Sequence, residues 1–156
     1  MLPSDAPSSG LMALRVAEHL HGHLGWLAAA ALVHPAVILR KAERRAHLAV
    51  GLGVGIATTA AVMGMALYPS YREQLKPTIF ADATSVGLAF ERKEHLAFGA
   101  IMMAWAGASA YVASRLAAAG AAAPLRRASH ACFVVAALFA VVTAVLGTCV
   151  AAYRTF

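Results

Sequence analysis

Polar residues thin out four times along this chain. Apolar residues dominate from about His19 to Leu39, Ala46 to Tyr68, His95 to Leu116 and Ala128 to Tyr153. Each run reaches the roughly 20 residues that a helix needs to cross a hydrocarbon core. A backbone in lipid must satisfy its hydrogen bonds internally, so each run predicts a helix. The expected fold class is all-α: a polytopic integral membrane protein built as a four-transmembrane-helix up-down bundle. The helices are expected at about 11–40, 46–68, 94–118 and 127–153, with 69–93 as an extramembrane connector.

Four such spans use nearly all of the 156 residues, so residues 1–156 are read as one domain. The opening MLPSDAPSSG has no basic segment of the kind that starts a secretory signal. Residues 1–10 are therefore expected to be a short disordered tail, and the first run to remain as a membrane helix. The net charge of +6 would suggest a nucleic-acid partner in a soluble protein. Here the charges fall between the apolar runs, where they set topology, so the expected partner is the lipid bilayer and no nucleic acid.

Two connections are dense in basic charge: Arg40-Lys41-Ala42-Glu43-Arg44-Arg45, and the stretch from Arg115 to Arg127 with Arg126 beside its end. An excess of Lys and Arg marks cytoplasmic loops. Both turns are placed in the cytoplasm of a bacterial inner-membrane protein, with both termini outside. The 69–93 connector opens with Tyr68-Pro69-Ser70-Tyr71-Arg72, where Pro69 is expected to end the second helix. Its apolar content, Ile79, Phe80, Val86, Leu88 and Phe90, suits a segment packed across the outer mouth.

Small residues recur at helical spacing: Gly51, Gly55 and Thr59 in the second run, Ala100, Ala104 and Ala108 in the third, Ala136, Ala140 and Ala144 in the fourth. Such faces let helices approach closely in lipid. Cys132 and Cys149 share the fourth run and lie roughly 25 Å apart along a straight helix, too far to form a disulfide with each other.

Candidate chemistry rests on the seven histidines. At about 100° per residue, His19, His23 and His34 fall on one stripe of the first helix, and His21 points elsewhere. Polar groups facing lipid are costly, so the stripe is expected to face the bundle interior. His95 starts the third helix at the outer level with His19 and His23. His47 and His130 start the second and fourth helices at the inner level, near His34. Imidazole is a common axial ligand of haem iron, and a bundle core is a natural cofactor site.

The first functional expectation is therefore a protein of b-type cytochrome character. It would bind haem b through His19 or His23 with His95, or through His34 with His47 or His130, and move electrons between haem and a quinone or partner protein. A second is a non-enzymatic structural or assembly subunit of a membrane complex, with no cofactor. A third is a membrane metal-binding protein. In it His19, His21, His23, Glu91, Glu94 and His95 would hold a transition-metal ion, since imidazole and carboxylate suit such ions. Whether the chain is an enzyme is left open, and no catalytic residue is assigned. No phosphate-binding glycine loop or nucleophile elbow occurs. Arg92 and Lys93, between the two acids, read as a solvated helix start.

Overall fold

The computed structural model describes residues 9–41 and 46–153, and these form five helices: α1 (Ser9–Ile38), α2 (His47–Gln74), α3 (Lys76–Asp82), α4 (Thr84–Leu116) and α5 (Ala119–Tyr153). The all-helical expectation holds. Three of the helices, within His47–Gln74, Thr84–Leu116 and Gly120–Tyr153, are long and apolar enough to cross a membrane. In α1 the apolar positions are interrupted by His19, His21, His23 and His34, and it is not among those three. The expected tail falls mostly on residues 1–8, outside the described residues, while Ser9 and Gly10 already belong to α1. Residues 42–45 of the first basic turn also lie outside them.

Two contacts fix the relative directions of the long helices. The Ala46 backbone N–H donates to the Tyr111 hydroxyl at 3.0 Å, so the start of α2 lies beside the last turns of α4. The Arg126 guanidinium donates to the Lys41 carbonyl at 2.7 Å, so the start of α5 lies beside the end of α1. These four ends make one end of the bundle, the turn end. The other, the connector end, carries α3. Neighbours run antiparallel around the ring α1, α2, α4, α5. The α4–α5, α1–α2 and α1–α5 seams are close, and the α2–α4 seam is loose.

Small side chains explain the closest seam. Ala100, Ala104 and Gly107 of α4 are buried against Phe133, Ala136 and Ala140 of α5. A Cβ on Gly107 would sit 3.0 Å from the Phe133 ring and 3.2 Å from the Cys132 Cβ, so glycine sets that approach. The fully buried Ser129 hydroxyl donates to the Gly107 carbonyl at 2.8 Å, which ties the two helices at the same level. The small-residue faces expected in the third and fourth runs are thus contact faces.

The face expected in the second run is not. Gly51, Gly55 and Thr59 are exposed, and α2 packs instead through Ala49, Val50, Gly53, Val54, Ala57 and Ala60. Gly53 is the close-approach position, since a Cβ there would lie 3.0 Å from the Ala31 carbonyl oxygen. Four-residue spacing groups residues on a face but does not say which face meets a neighbour.

The expected stop at Pro69 is also overturned, because α2 continues through it to Gln74. A proline removes one ladder hydrogen bond and crowds the carbonyl four residues back. Here that carbonyl belongs to the exposed Met65, and the turns beyond are anchored by packing. Tyr71, Leu75 and Ile79 form a small core of their own with Tyr68, Val86 and Phe90. The Tyr71 and Phe90 rings stack with centroids 3.6 Å apart. Lys76 donates to Glu91 at 2.7 Å across the same junction. The connector is therefore packed and helical.

Candidate functional site

The imidazoles do not gather in the interior. His19, His23 and His34 do share one side of α1, but all three are exposed, together with Trp26, Leu27, Val33 and Val37. The face that packs inward carries Ala28, Ala29, Leu32, Pro35, Ala36 and Leu39. This corrects the expectation of an inward-facing stripe. The physical reason is shape. The alanine-rich face admits α2 within contact distance at Gly53, whereas the other face is bulky.

His21, expected to point elsewhere, is the α1 imidazole that turns toward the bundle. Its ring lies against Gly64 of α2, where a Cβ would come within 2.9 Å of the imidazole Cε1. It bonds the Ala60 backbone, and its Nδ1 is buried with no hydrogen-bond partner. The absence of a side chain at Gly64 is what makes room for it. No sequence signal singled out His21, because the level at which Gly64 meets α1 is set by how the two helices pack.

Lys93 repeats the arrangement on α4. It was expected at a solvated helix start, yet it is half-buried, with its ammonium 4.1 Å from the Phe90 ring centroid. Its stem runs past Gly147 of α5, where a Cβ would be 3.8 Å from Lys93 Cδ. Glu94 and Glu18 exert electrostatic attraction on it. Its neighbour Arg92 is exposed as expected. The connector end thus holds His21 and Lys93 inside the ring.

The other candidates are spread around the molecule. His95 is exposed on α4, which stands diagonally across the ring from α1. Its Nδ1 lies 2.8 Å from the Glu91 carbonyl oxygen. A carbonyl only accepts, so Nδ1 is the donor in this bond and Nε2 is left facing away from it. Glu91 is engaged by Lys76, and Glu94 is half-buried beside Lys93 in sequence. At the turn end, His47 is exposed in the loose α2–α4 seam, and His130 is half-buried on α5 with Nδ1 unpartnered.

His23 and His95 are exposed on diagonal helices, with the packed interior of the bundle between them. Among the described residues, no group of three or more His, Cys, Asp or Glu side chains gathers where a metal ion would sit. Cys132 and Cys149 are both free thiols. Trp26 donates from its indole to the Thr148 hydroxyl at 3.1 Å, a bond across the α1–α5 seam that the sequence did not announce.

One further feature lies outside the histidine pattern. The loose α2–α4 seam opens into a groove with a cavity volume of about 500 Å³. Gly51, Gly55 and the half-buried Thr58 line it from α2, and Trp105 and Tyr111 from α4. Compared with known families, curated proteins and solved structures, the chain matches none.

Proposed function

We propose that this chain is a membrane-embedded subunit that joins a larger assembly through the imidazole face of α1. In this reading all four long helices span the bilayer, with the basic turns in the cytoplasm and both termini outside. The carrying observation is the outward placement of His19, His23 and His34. Lipid offers an imidazole no hydrogen-bond partner, so polar groups at membrane depth face protein or water. A facing subunit would give these imidazoles what the chain's own helices do not.

The test is the assembly state in nanodiscs. The wild-type protein is expected to migrate as a complex, and His23→Leu with His34→Leu to release this chain with its thermal midpoint unchanged. A wild-type protein that is monomeric at native expression level overturns the proposal.

The geometry of His95 favours a second reading, haem b with electron transfer to a quinone or a partner protein. An Nδ1–H bonded to a backbone carbonyl orients an imidazole and leaves Nε2 as the ligand atom, as in many metal-bound histidines. The second axial position would then be filled from another subunit. A Soret band in protein expressed with ample haem, abolished or shifted in His95→Ala, supports this reading. Its absence from the wild type leaves the subunit reading alone.

A further inference from the structure

We propose that His19 and His23 form a two-imidazole site on α1 for a divalent ion of the nickel, copper and zinc group. They belong to the face proposed for assembly, but the site needs no partner. It is tested on the chain alone, and its failure leaves the assembly reading untouched.

The pair is built by the backbone. α1 is helical from Ser9 to Ile38, and its proline, Pro35, lies well beyond His23, so the turn between the two histidines is regular. Residues four apart on a helix are neighbours, with Cβ atoms roughly 5–6 Å apart. At this spacing two helical histidines share a zinc ion in the HExxH pattern, where Leu20 here takes the place of its glutamate. Both side chains are exposed, so each ring is free to turn toward a shared ion.

Neighbouring groups single out this pair. His21, between them, is turned against Gly64 and is no third ligand. His34 lies eleven residues on, roughly 16 Å along the axis. Glu91 and His95 make a second four-residue pair at the connector end. There Glu91 is taken by Lys76 at 2.7 Å, which leaves His95 a lone ligand.

The location admits water. The Trp26–Thr148 bond sets the register of α1 against the antiparallel α5. Three residues back from Trp26 and three forward from Thr148 bring His23 level with Ala151, in the last turn of α5, which ends at Tyr153. His19 lies one turn further out. The pair thus stands at the rim of the connector end, where hydrated ions arrive.

Imidazole nitrogen suits ions of this group, and copper binds most tightly. The first bond holds the ion beside the second ring, so the second bond forms intramolecularly and raises the affinity by roughly 100-fold over a lone imidazole. Arg15, one turn before His19 and also exposed, opposes the charge of the ion. Water and salt screen that repulsion, which costs a few-fold at most. The remaining coordination positions stay open to water.

The experiment uses the full chain, without a histidine tag, in phosphatidylcholine nanodiscs. Trp105→Phe leaves Trp26, one turn from His23, as the single indole of the two in the sequence. Cu²⁺ is titrated while Trp26 fluorescence is followed. The expected result is a saturable quench, reversed by a chelator, with imidazole nitrogen couplings in the electron paramagnetic resonance spectrum of the bound ion. His19→Ala and His23→Ala should each weaken binding by roughly 100-fold. Leu20→His combined with His23→Ala keeps the number of imidazoles but sets two of them on adjacent residues, which do not face each other. It should bind as weakly as His23→Ala alone.

Circular dichroism verifies folding of each variant, and His19→Gln and His23→Gln replace any alanine variant that does not fold. A strictly linear quench in the parent overturns the proposal. So does saturation that survives loss of either imidazole. Binding by the displaced pair as tight as in the parent shows that spacing is irrelevant and overturns it as well.

Discussion

At the scale of single residues, this bundle is organised by glycines that differ in what a side chain would meet. Gly107 is closed in by Phe133 and Cys132, whereas Gly55 looks onto open space. Gly107→Val should therefore overpack the α4–α5 seam and lower stability by about 1–3 kcal/mol. Gly55→Val should stay within about 0.5 kcal/mol of wild type. Thermal unfolding of the two variants in the same detergent checks the contrast, and equal midpoints would refute the assigned seam. The same distinction marks what the sequence disclosed of the candidate site. The angular stripe of His19, His23 and His34 was legible because 100° per residue is a property of any helix. Which side of α1 turned inward was not legible. That depends on whether Ala28, Ala29 and Leu32 or the histidine side fits against α2 and α5, a matter of tertiary shape.

At the scale of elements, the hydrophobic runs located the long helices well, and the connector poorly. Length and apolar content suffice to specify a spanning helix, but they do not describe a segment stabilised by side-chain pairs from two helices. Tyr71 on Phe90 holds the end of α2 on α4, Lys76 with Glu91 holds α3 on α4, and neither pair has a sequence signature. The Lys76–Glu91 pair gives a pH prediction. The hydrogen bond that Lys76 donates to Glu91 raises the lysine pKa above its ordinary value. A raised value in the folded state means that the pair stabilises fully below the unfolded lysine value, about 10.4, and is lost as pH rises through the folded value. Spin labels at Ala81→Cys and Leu88→Cys, with Cys132 and Cys149 replaced by serine, report the α3–α4 separation. The distance distribution should stay narrow through neutral pH and broaden only above the ordinary lysine range. In Glu91→Gln it should show no such transition. A transition that persists in Glu91→Gln would show that another group controls α3.

At the scale of the whole molecule, the ring has a direction that charge should set. Arg40, Lys41, Arg115, Arg126 and Arg127 all lie at the turn end, since the Arg126–Lys41 and Tyr111–Ala46 bonds bring those segments to one level. The expected topology places that end in the cytoplasm. A cysteine at Arg115, in the background lacking Cys132 and Cys149, should react with a membrane-impermeant maleimide only after the membrane is opened. Labelling in intact cells would reverse the orientation.

The α2–α4 seam is fastened at both extremities and slack between them. Tyr111 clasps Ala46 at one end, and the Tyr71–Phe90 stack fastens the other. Held at its ends and slack between them, such a seam should part first in its middle on heating, while its two ends stay closed.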